Sequence, residues 1–162
     1  MSTHRIGHGY DIHPFKTKRR LMLGGVSIKH TRGLAGHSDA DCLLHALADA
    51  VLGAAGLGDV GEHFPPNDPK YKDKASAYFV ERAVAMAKKK GWRIANADAT
   101  VYAEAPRLAA YKKRMRERMA ALLGIPGDCV NIKAKTMERM GPVGQKKAIA
   151  AEAVVLLEKH RY

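Results

Sequence analysis

The apolar residues of this chain follow two periods in turn, one of two residues and one near 3.6, and this alternation restricts the fold. A period of two places apolar side chains on one face of a strand, whereas a period near 3.6 places them on one face of a helix. The strand-like segments are 5–15, 92–104 and 130–135, together with a hairpin over 20–30 that turns at Gly24 and Gly25.

Helix-like segments lie between and after these strands. Ser38 to Asp41 has the form of a capping box and predicts the start of a first helix, which ends at the glycines from position 56. The remaining predicted helices are 76–90, 108–123 and 149–159. Pro106 is expected in the first turn of the helix over 108–123, where proline is tolerated.

Strands that alternate with helices predict an α+β fold, a two-layer α/β sandwich with helices packed on one face of a mixed sheet. The 162 residues are 46% hydrophobic, which suffices for a buried core and favours one domain over 1–162. No signal or transit peptide and no membrane span is expected, and the isolated Cys42 and Cys129 favour a reducing, cytoplasmic location.

The chain is strongly basic, with 28 Lys and Arg against 16 Asp and Glu and a formal net charge of +12. This charge favours a polyanionic ligand or partner, and a basic nucleic-acid-binding protein is therefore one alternative. However, three Phe, six Tyr and one Trp are spread along the chain and form no evident platform for base stacking. Nucleic acid is consequently not the expected partner.

Three residues form a candidate zinc site. Asp11 and His13 lie two apart on a predicted strand and project from the same face, although an isolated pair of this kind is more often a surface hydrogen bond. His45 lies on the first predicted helix between Asp41 and Asp49, and either carboxylate could accept the second imidazole proton of a metal-bound histidine. Asp11, His13 and His45 together match the ligand set of a catalytic zinc with an open fourth position.

The open position leaves more than one reaction possible. The ion would act as a Lewis acid in the favoured interpretation, while a zinc-dependent phosphoester hydrolase would instead need a general base such as Asp59 or Asp41. Cys42, one turn before His45, is a possible fourth ligand, although a small thiol that faces the core is the more common outcome.

Two further polar segments bear on ligand binding. Residues 56–61 match G-x-G-x-x-G, but a predicted helix precedes them and a loop follows, the reverse of the nucleotide-binding context, so we interpret Asp59 as a ligand for a hydroxyl or a cation. Toward the C-terminus, the lysines and the threonine of 133–136 suit phosphate oxygens. Glu138 could hold a second divalent ion that bridges a diphosphate.

Over nearly its whole length the sequence resembles the 2-C-methyl-D-erythritol 2,4-cyclodiphosphate synthase family. The matching segments are RIGHGYDIH at 5–13, HSDAD at 37–41, LHAL at 44–47, LGDVG at 57–61, FP at 64–65, APR at 105–107, and KA at 133–134 with Thr136 and Glu138. The resemblance implies a lyase of non-mevalonate isoprenoid precursor synthesis, which closes a cyclic diphosphate on its cytidine diphosphate substrate and expels CMP. It also implies a homotrimer whose active sites lie between subunits.

The resemblance also implies roles for individual residues. Asp11, His13 and His45 correspond to zinc ligands, and Glu138 corresponds to a ligand of magnesium or manganese. The implied catalytic residues are these four with His37 and Thr136. The implied substrate-binding residues are His37, Ser38, Asp59, Gly61, Phe64, Asp68, Ala103, Arg107, Leu108, Lys135, Thr136 and Glu138.

Several positions depart from the family pattern. Pro66 occupies a position where an aspartate is common, which leaves Asp68 as the nearer acidic candidate in that loop. Pro142 and Gln145 replace a common phenylalanine and arginine that line the axial cavity of the family's trimers. The isoprenoid diphosphate binding proposed for that cavity is therefore not transferred to this chain, although Lys146 could supply the missing charge.

Overall fold

The computed structural model of the protein describes residues 3–159. Its strands are β1 (His4–Lys16), β2 (Leu21–Leu23), β3 (Val26–Ile28), β4 (Gly33–Leu34), β5 (Trp92–Tyr102), β6 (Val130–Lys135) and β7 (Ala148–Lys159). Five of them form a sheet in the order β4-β1-β7-β5-β6, while β2 and β3 form a separate hairpin. β5 and β6 are parallel and the other pairs are antiparallel, so the sheet is mixed, as predicted.

The helices of the described chain follow β4, β5 and β6. They are α1 (Cys42–Ala55), α2 (Val60–His63), α3 (Ala77–Lys89), α4 (Lys112–Leu123) and α5 (Gly141–Gly144). Short 3₁₀ turns occupy Pro69–Tyr71, Ala109–Tyr111 and Gly127–Cys129. Among the helices of residues 3–159, none has the length and apolar character needed to cross a membrane.

The central helix α1 lies directly on strands β1 and β7. Two glycines of β1 permit this close approach, because a Cβ atom on Gly7 or Gly9 would overlap the backbone of Ala50 or Ala46 in α1. α3 packs beside α1 and against β5, while α4 packs beside α3 and against β6. One face of the sheet is therefore covered by helices, as the two-layer prediction requires.

The opposite face of the sheet is covered only in part in the described chain, by a small cluster of Val143, Ala148 and Ala150 with Tyr102. Ile6 and Tyr10 alternate with the two β1 glycines and point away from α1, with 73% and 52% of their surface accessible. Ile12 and Val154 are also exposed, on β1 and on the neighbouring β7. The covered face belongs to a single large cluster of buried apolar side chains that extends from Leu21 to Leu157. The assignment of 1–162 to one domain stays a prediction.

The predicted helix over 149–159 is wrong, because these residues form most of β7, the middle strand of the large sheet. Apolar residues at 149, 153, 154 and 157 matched a helical period, but 149, 153 and 157 match a period of two as well, and Val154 is exposed on the opposite face. The fully buried positions follow that second period: Ile149, Ala151, Ala153, Val155 and Leu157. Pairing with β1 on one side and β5 on the other satisfies the backbone of this strand.

Smaller corrections concern element boundaries. The residue that caps α1 is Asp41, whose carboxylate accepts from Leu44 N at 3.0 Å, so the helix begins four residues after Ser38. Pro106 follows a cis peptide bond and precedes the 3₁₀ turn that leads into α4, so it does not lie in the first helical turn. The hairpin is confirmed, with positive φ angles at both Gly24 and Gly25.

Candidate active site

Asp11, His13 and His45 converge at the junction of β1 and α1. Asp11 Oδ2 lies 2.8 Å from His13 Nε2 and 3.0 Å from His45 Nδ1, and the two imidazole nitrogens are 3.3 Å apart. Within residues 3–159, these three side chains are the group of histidine, cysteine, aspartate or glutamate ligands that could hold a metal ion. The convergence predicted from a strand face and a helix is confirmed.

The other polar atoms of these side chains are held by the surrounding backbone and by two serines. His13 Nδ1 lies 2.6 Å from the carbonyl oxygen of Ala35, which can only accept, so Nδ1 carries the proton and Nε2 faces the group. Asp11 Oδ1 accepts from Ile12 N at 2.9 Å, which turns Oδ2 toward the histidines. His45 Nε2 lies 3.2 Å from Ser38 Oγ and 2.9 Å from Ser76 Oγ.

The electrostatics of the group favour a charged carboxylate. Burial raises the pKa of Asp11, but the hydrogen bonds and charges of His13 and His45 outweigh burial and hold this pKa well below its usual value. Burial lowers the pKa of His13, while the hydrogen bond and the charge of Asp11 outweigh it and raise the pKa overall. Asp11 is thus an anion at neutral pH, as a metal ligand must be.

The donor set fits a tetrahedral divalent ion. Zinc bonds to histidine nitrogen and carboxylate oxygen are about 2.0–2.2 Å long, which places neighbouring tetrahedral ligands roughly 3.3 Å apart. The separations of 2.8–3.3 Å observed here need to open by at most about 0.5 Å to meet that spacing. Three protein donors leave one tetrahedral position for an external ligand.

Two carboxylates predicted to support His45 do not bond to its ring. Asp41 accepts backbone N–H groups from Gly24, Gly25 and Leu44, and Asp49 accepts from Val60 N at 2.7 Å. The i−4 and i+4 spacing was correct, but both side chains turn toward backbone donors at helix starts and turns, so this prediction is wrong.

Cys42 is fully buried, and burial raises the pKa of its thiol well above the usual value. It belongs to the core cluster and lies outside the ligand group.

A pocket of about 230 Å³ opens beside the ligand group. It is lined by His13, Gly36, His37, Ser38, His45, Val60, Gly61, Phe64, Pro66, Tyr71 and Phe79. Four of the residues implied to bind substrate therefore share its wall: His37, Ser38, Gly61 and Phe64. On the aromatic side of the wall, the ring centroid of Phe64 lies 5.1 Å from that of Phe79 and 5.4 Å from that of Tyr71; Phe64 was predicted from the sequence, but Tyr71 and Phe79 were not.

Two predicted substrate ligands have other partners in the described chain. Asp59 is exposed and caps α2, since its Oδ1 accepts from Glu62 N at 2.9 Å. Asp68 accepts from Lys70 N at 3.0 Å and forms a 2.9 Å ion pair with the Lys70 ammonium group. Neither residue lines the pocket beside the metal ligands, and their roles stay predictions.

A second depression, of about 350 Å³, collects five of the residues that the resemblance implies to bind substrate: Ala103, Arg107, Leu108, Lys135 and Thr136. Its lining residues are Ala103, Glu104, Pro106, Arg107, Leu108, Ala109, Ala134, Lys135 and Thr136. Glu138 lies just beyond it, where its carboxylate accepts from the Thr136 hydroxyl at 2.9 Å. This depression shares no lining residue with the pocket beside the metal ligands.

Comparison with known proteins identifies the family. A model of the YgbB family matches residues 4–158. The chain belongs to the YgbB family. A Moorella thermoacetica protein named 2-C-methyl-D-erythritol 2,4-cyclodiphosphate synthase is 55% identical to it over 153 residues, which are 94% of each chain. A protein of the same name from Dechloromonas aromatica is 53% identical, over 96% of this chain and 97% of the relative.

Solved structures agree with the sequence matches. The bifunctional IspDF of Campylobacter jejuni superposes with a TM-score of 0.93 at 39% identity, over 96% of this chain and 42% of that longer chain. A CDP complex of IspF from Plasmodium falciparum superposes with a TM-score of 0.87 at 35% identity, over 99% of both chains. The resemblance recognised in the sequence segments is confirmed.

Proposed function

We propose that this chain converts 4-diphosphocytidyl-2-C-methyl-D-erythritol 2-phosphate into 2-C-methyl-D-erythritol 2,4-cyclodiphosphate and CMP. The observation that carries the proposal is the convergence of Asp11, His13 and His45 beside a pocket, in a chain that is 55% identical to a relative named for this synthase activity. The reaction belongs to non-mevalonate synthesis of isoprenoid precursors.

The reaction is an internal phosphoryl transfer. An oxygen of the 2-phosphate bonds to the β-phosphorus, the bond from the β-phosphorus to the bridging oxygen breaks, and CMP leaves with that oxygen and its electron pair. The nucleophile is already an anion, so no general base is needed. Catalysis then depends on holding the two phosphates in line and on neutralising their charge.

The ligand group supports zinc as one source of that neutralisation. A zinc ion held by Asp11, His13 and His45 would supply Lewis-acid stabilisation of phosphate charge. A magnesium or manganese ion held by Glu138 would supply the same kind of stabilisation. The hydrogen bonds from the ligand group to Ala35 and Ser76 orient the donors before substrate arrives.

The pocket beside the ligands suits the methylerythritol portion. Its size of about 230 Å³ fits a small polyol phosphate, and His37 and Ser38 offer polar groups on one side. The aromatic side, formed by Phe64, Tyr71 and Phe79, excludes water from the reacting phosphates. Exclusion of water favours ring closure over hydrolysis.

The second depression suits the cytidine nucleotide. Arg107 and Lys135 bring two cations to its wall, and the Thr136 hydroxyl adds a hydrogen-bonding group. The likeness to a structure solved as a CDP complex supports a cytidine nucleotide as the ligand of this chain.

We further propose that three copies assemble around the exposed sheet face. Ile6, Tyr10 and Val154 expose apolar surface there, and the two depressions of one chain share no wall, so a neighbouring copy would complete each site. Light scattering after size-exclusion chromatography is expected to give three times the chain mass for the wild type. Ile6→Glu is expected to lower that mass, and an unchanged mass would place the interface elsewhere.

Zinc-dependent hydrolysis is the less favoured reaction. The base candidates named from the sequence are engaged elsewhere, since Asp41 is buried among three backbone donors and Asp59 caps α2. Neither lines the pocket beside the ligand group.

One assay tests the proposal. The purified protein is incubated with the cytidylyl substrate, zinc and magnesium, and the products are followed by phosphorus NMR. CMP together with the cyclic diphosphate is expected. CMP with a linear product would support the hydrolase. No turnover combined with tight, salt-sensitive RNA binding would support the nucleic-acid-binding alternative.

A further inference from the structure

Ser76 occupies the residue before α3 but does not serve as an ordinary helix cap. A serine at this position usually accepts a hydrogen bond from a backbone N–H of the first helical turn. The Ser76 side chain makes no such bond, although the residue is fully buried. Its hydroxyl group instead points away from the helix, toward His45 and Asp39. The sequence predicted the helix but gave no role to this side chain.

The hydroxyl group of Ser76 lies between a carboxylate and an imidazole. Ser76 Oγ donates to Asp39 Oδ1 in a short hydrogen bond, and His45 Nε2 lies 2.9 Å from the same oxygen. Asp39 is fixed in turn, because its Oδ2 accepts from Ser76 N at 3.1 Å and its Oδ1 accepts from Asp41 N at 3.2 Å. The three side chains form a continuous series from carboxylate to hydroxyl to imidazole.

The direction of the protons follows from the chemistry of the end groups. Both Asp39 oxygens accept backbone N–H groups, and Asp39 Oδ1 also accepts the single hydroxyl proton of Ser76. The Ser76 oxygen, 2.9 Å from His45 Nε2 against 3.2 Å for Ser38 Oγ, is then the nearer acceptor for a proton on that nitrogen. An imidazole with its proton on Nε2 presents a lone pair on Nδ1, the atom that faces Asp11 Oδ2 and His13 Nε2.

We propose that Asp39 and Ser76 hold His45 in the tautomer that offers Nδ1 to the metal, which makes Ser76 a positioning residue. The inference rests on the metal centre of the proposed function. Ser76 thereby fixes the proton of the His45 ring, as the Ala35 carbonyl fixes the proton of the His13 ring. The two supports differ, since a backbone carbonyl survives any substitution, whereas the hydroxyl of Ser76 can be removed.

The test compares zinc affinity and ring tautomer in matched variants. Ser76→Ala removes the hydroxyl without removing a helix cap. Ser76→Thr keeps a hydroxyl, and Asp39→Asn leaves Ser76 in place but removes the charge at the end of the series. Ser27→Ala, at an exposed serine of β3, serves as the control. Zinc affinity is measured by competition with a chromophoric chelator, and the His45 tautomer is read from ring nitrogen chemical shifts of the metal-free protein.

Ser76→Ala is expected to bind zinc about 10- to 100-fold more weakly and to lose the preference for a protonated Nε2. Asp39→Asn is expected to change both readouts in the same direction by less. Ser76→Thr and Ser27→Ala are expected to behave as the wild type. A matching unfolding temperature of metal-free Ser76→Ala separates the effect from a loss of fold.

Two results separate this inference from the metal centre itself. Wild-type zinc affinity in Ser76→Ala, or an unchanged His45 tautomer, would overturn the positioning role even if zinc binds. If the wild type binds no zinc, the metal centre fails and the inference fails with it as a statement about metal binding. A tautomer change in Ser76→Ala would then show only that Ser76 orients the His45 ring, without a role in metal binding.

Discussion

The ligand group of Asp11, His13 and His45 and the segment from Thr136 to Arg139 differ in how firmly the chain holds them. The ligand group is half-buried between a strand and a helix, and its atoms bond to Ala35, Ile12 and two serines. The segment is exposed, and Glu138 is held by a hydroxyl two residues away. Both Glu138 and Arg139 have positive φ angles, which are uncommon for residues with side chains.

The two regions therefore differ in what orders their side chains. The first region is organised by the fold itself, because the β1 glycines bring α1 against the strand that carries two of the ligands. The second region has donors and acceptors in place but little packing around them, so we expect substrate, a second ion or a neighbouring copy to order it. Substitutions in the two regions are consequently expected to give different losses.

The largest effect is expected for His45→Ala. Removal of one of three ligands should abolish stoichiometric zinc and lower kcat/KM by about a thousandfold or more, since metal stabilisation of a phosphoryl transition state is worth several kcal/mol. Zinc content is measured by mass spectrometry beside the phosphorus NMR assay. His30→Ala, a half-buried histidine that packs on Phe15, is the control and should keep its zinc. Full zinc content in His45→Ala would place the ion elsewhere.

Asp41, which caps the helix α1 that carries His45, predicts a pH dependence of the free energy of unfolding. Burial raises the pKa of Asp41 to about 6; the N–H of Gly25 opposes this shift and the charge of Asp39 adds to it. The folded state thus binds this proton more tightly than the unfolded state, whose pKa is 3.8. The stability contributed by Asp41 is therefore fully present below about pH 4 and is lost as the pH rises through about 6.

Urea unfolding with a metal chelator, compared between wild type and Asp41→Asn, isolates this group from the other carboxylates. The free energy of unfolding of the wild type is expected to fall relative to that of the variant between pH 4 and 7, by on the order of 1–3 kcal/mol. A difference that stays constant or grows over this range would contradict the buried, proton-binding Asp41.

In the exposed segment, Glu138→Gln is expected to lower activity about 10- to 100-fold while zinc content stays stoichiometric, because the variant loses a carboxylate ligand of the second ion. The magnesium concentration needed for half-maximal activity should rise. Glu117→Gln, at an exposed glutamate of α4, is a matched control. Loss of zinc from Glu138→Gln would remove the distinction between the two regions.

The smallest effect is expected for Lys133→Ala. Lys133 forms an ion pair with Asp98 at 2.5 Å on the surface. Unlike Lys135, it does not line the second depression, where we propose that the nucleotide binds. Surface ion pairs of this kind contribute about 0–1 kcal/mol, so stability and KM should hardly change. Lys135→Ala should raise KM for the cytidylyl substrate instead. Equal effects of the two substitutions would show that the depression is not where the nucleotide binds.

The ligand group could be predicted because each part depended on a local rule. Asp11 and His13 share a face in any strand, and the helical period placed His45 on a helix. The partner of His45 could not be predicted this way. Asp49 has the right spacing, but its carboxylate is taken by Val60 N, and the nearer of the two serine partners, Ser76, lies 31 residues from His45 in sequence.

β7 shows the same limit at the level of the fold. Ile149, Ala153 and Leu157 satisfy both periods, and the choice is made by pairing with β1 and β5, which lie far away in sequence. By contrast, the bounds of β6 agree with the sequence prediction, because its short segment of alternating apolar and polar residues fits only a strand. Tertiary contacts therefore decided the elements that local patterns left ambiguous.

The most direct test is anomalous diffraction at the zinc absorption edge from crystals grown with zinc and a cytidine nucleotide. We predict one zinc bonded to Asp11 Oδ2, His13 Nε2 and His45 Nδ1, with a water or phosphate oxygen as the fourth ligand at about 2.0–2.2 Å. A zinc ion at another position, or one closed by a fourth protein ligand such as Cys42, would contradict this prediction.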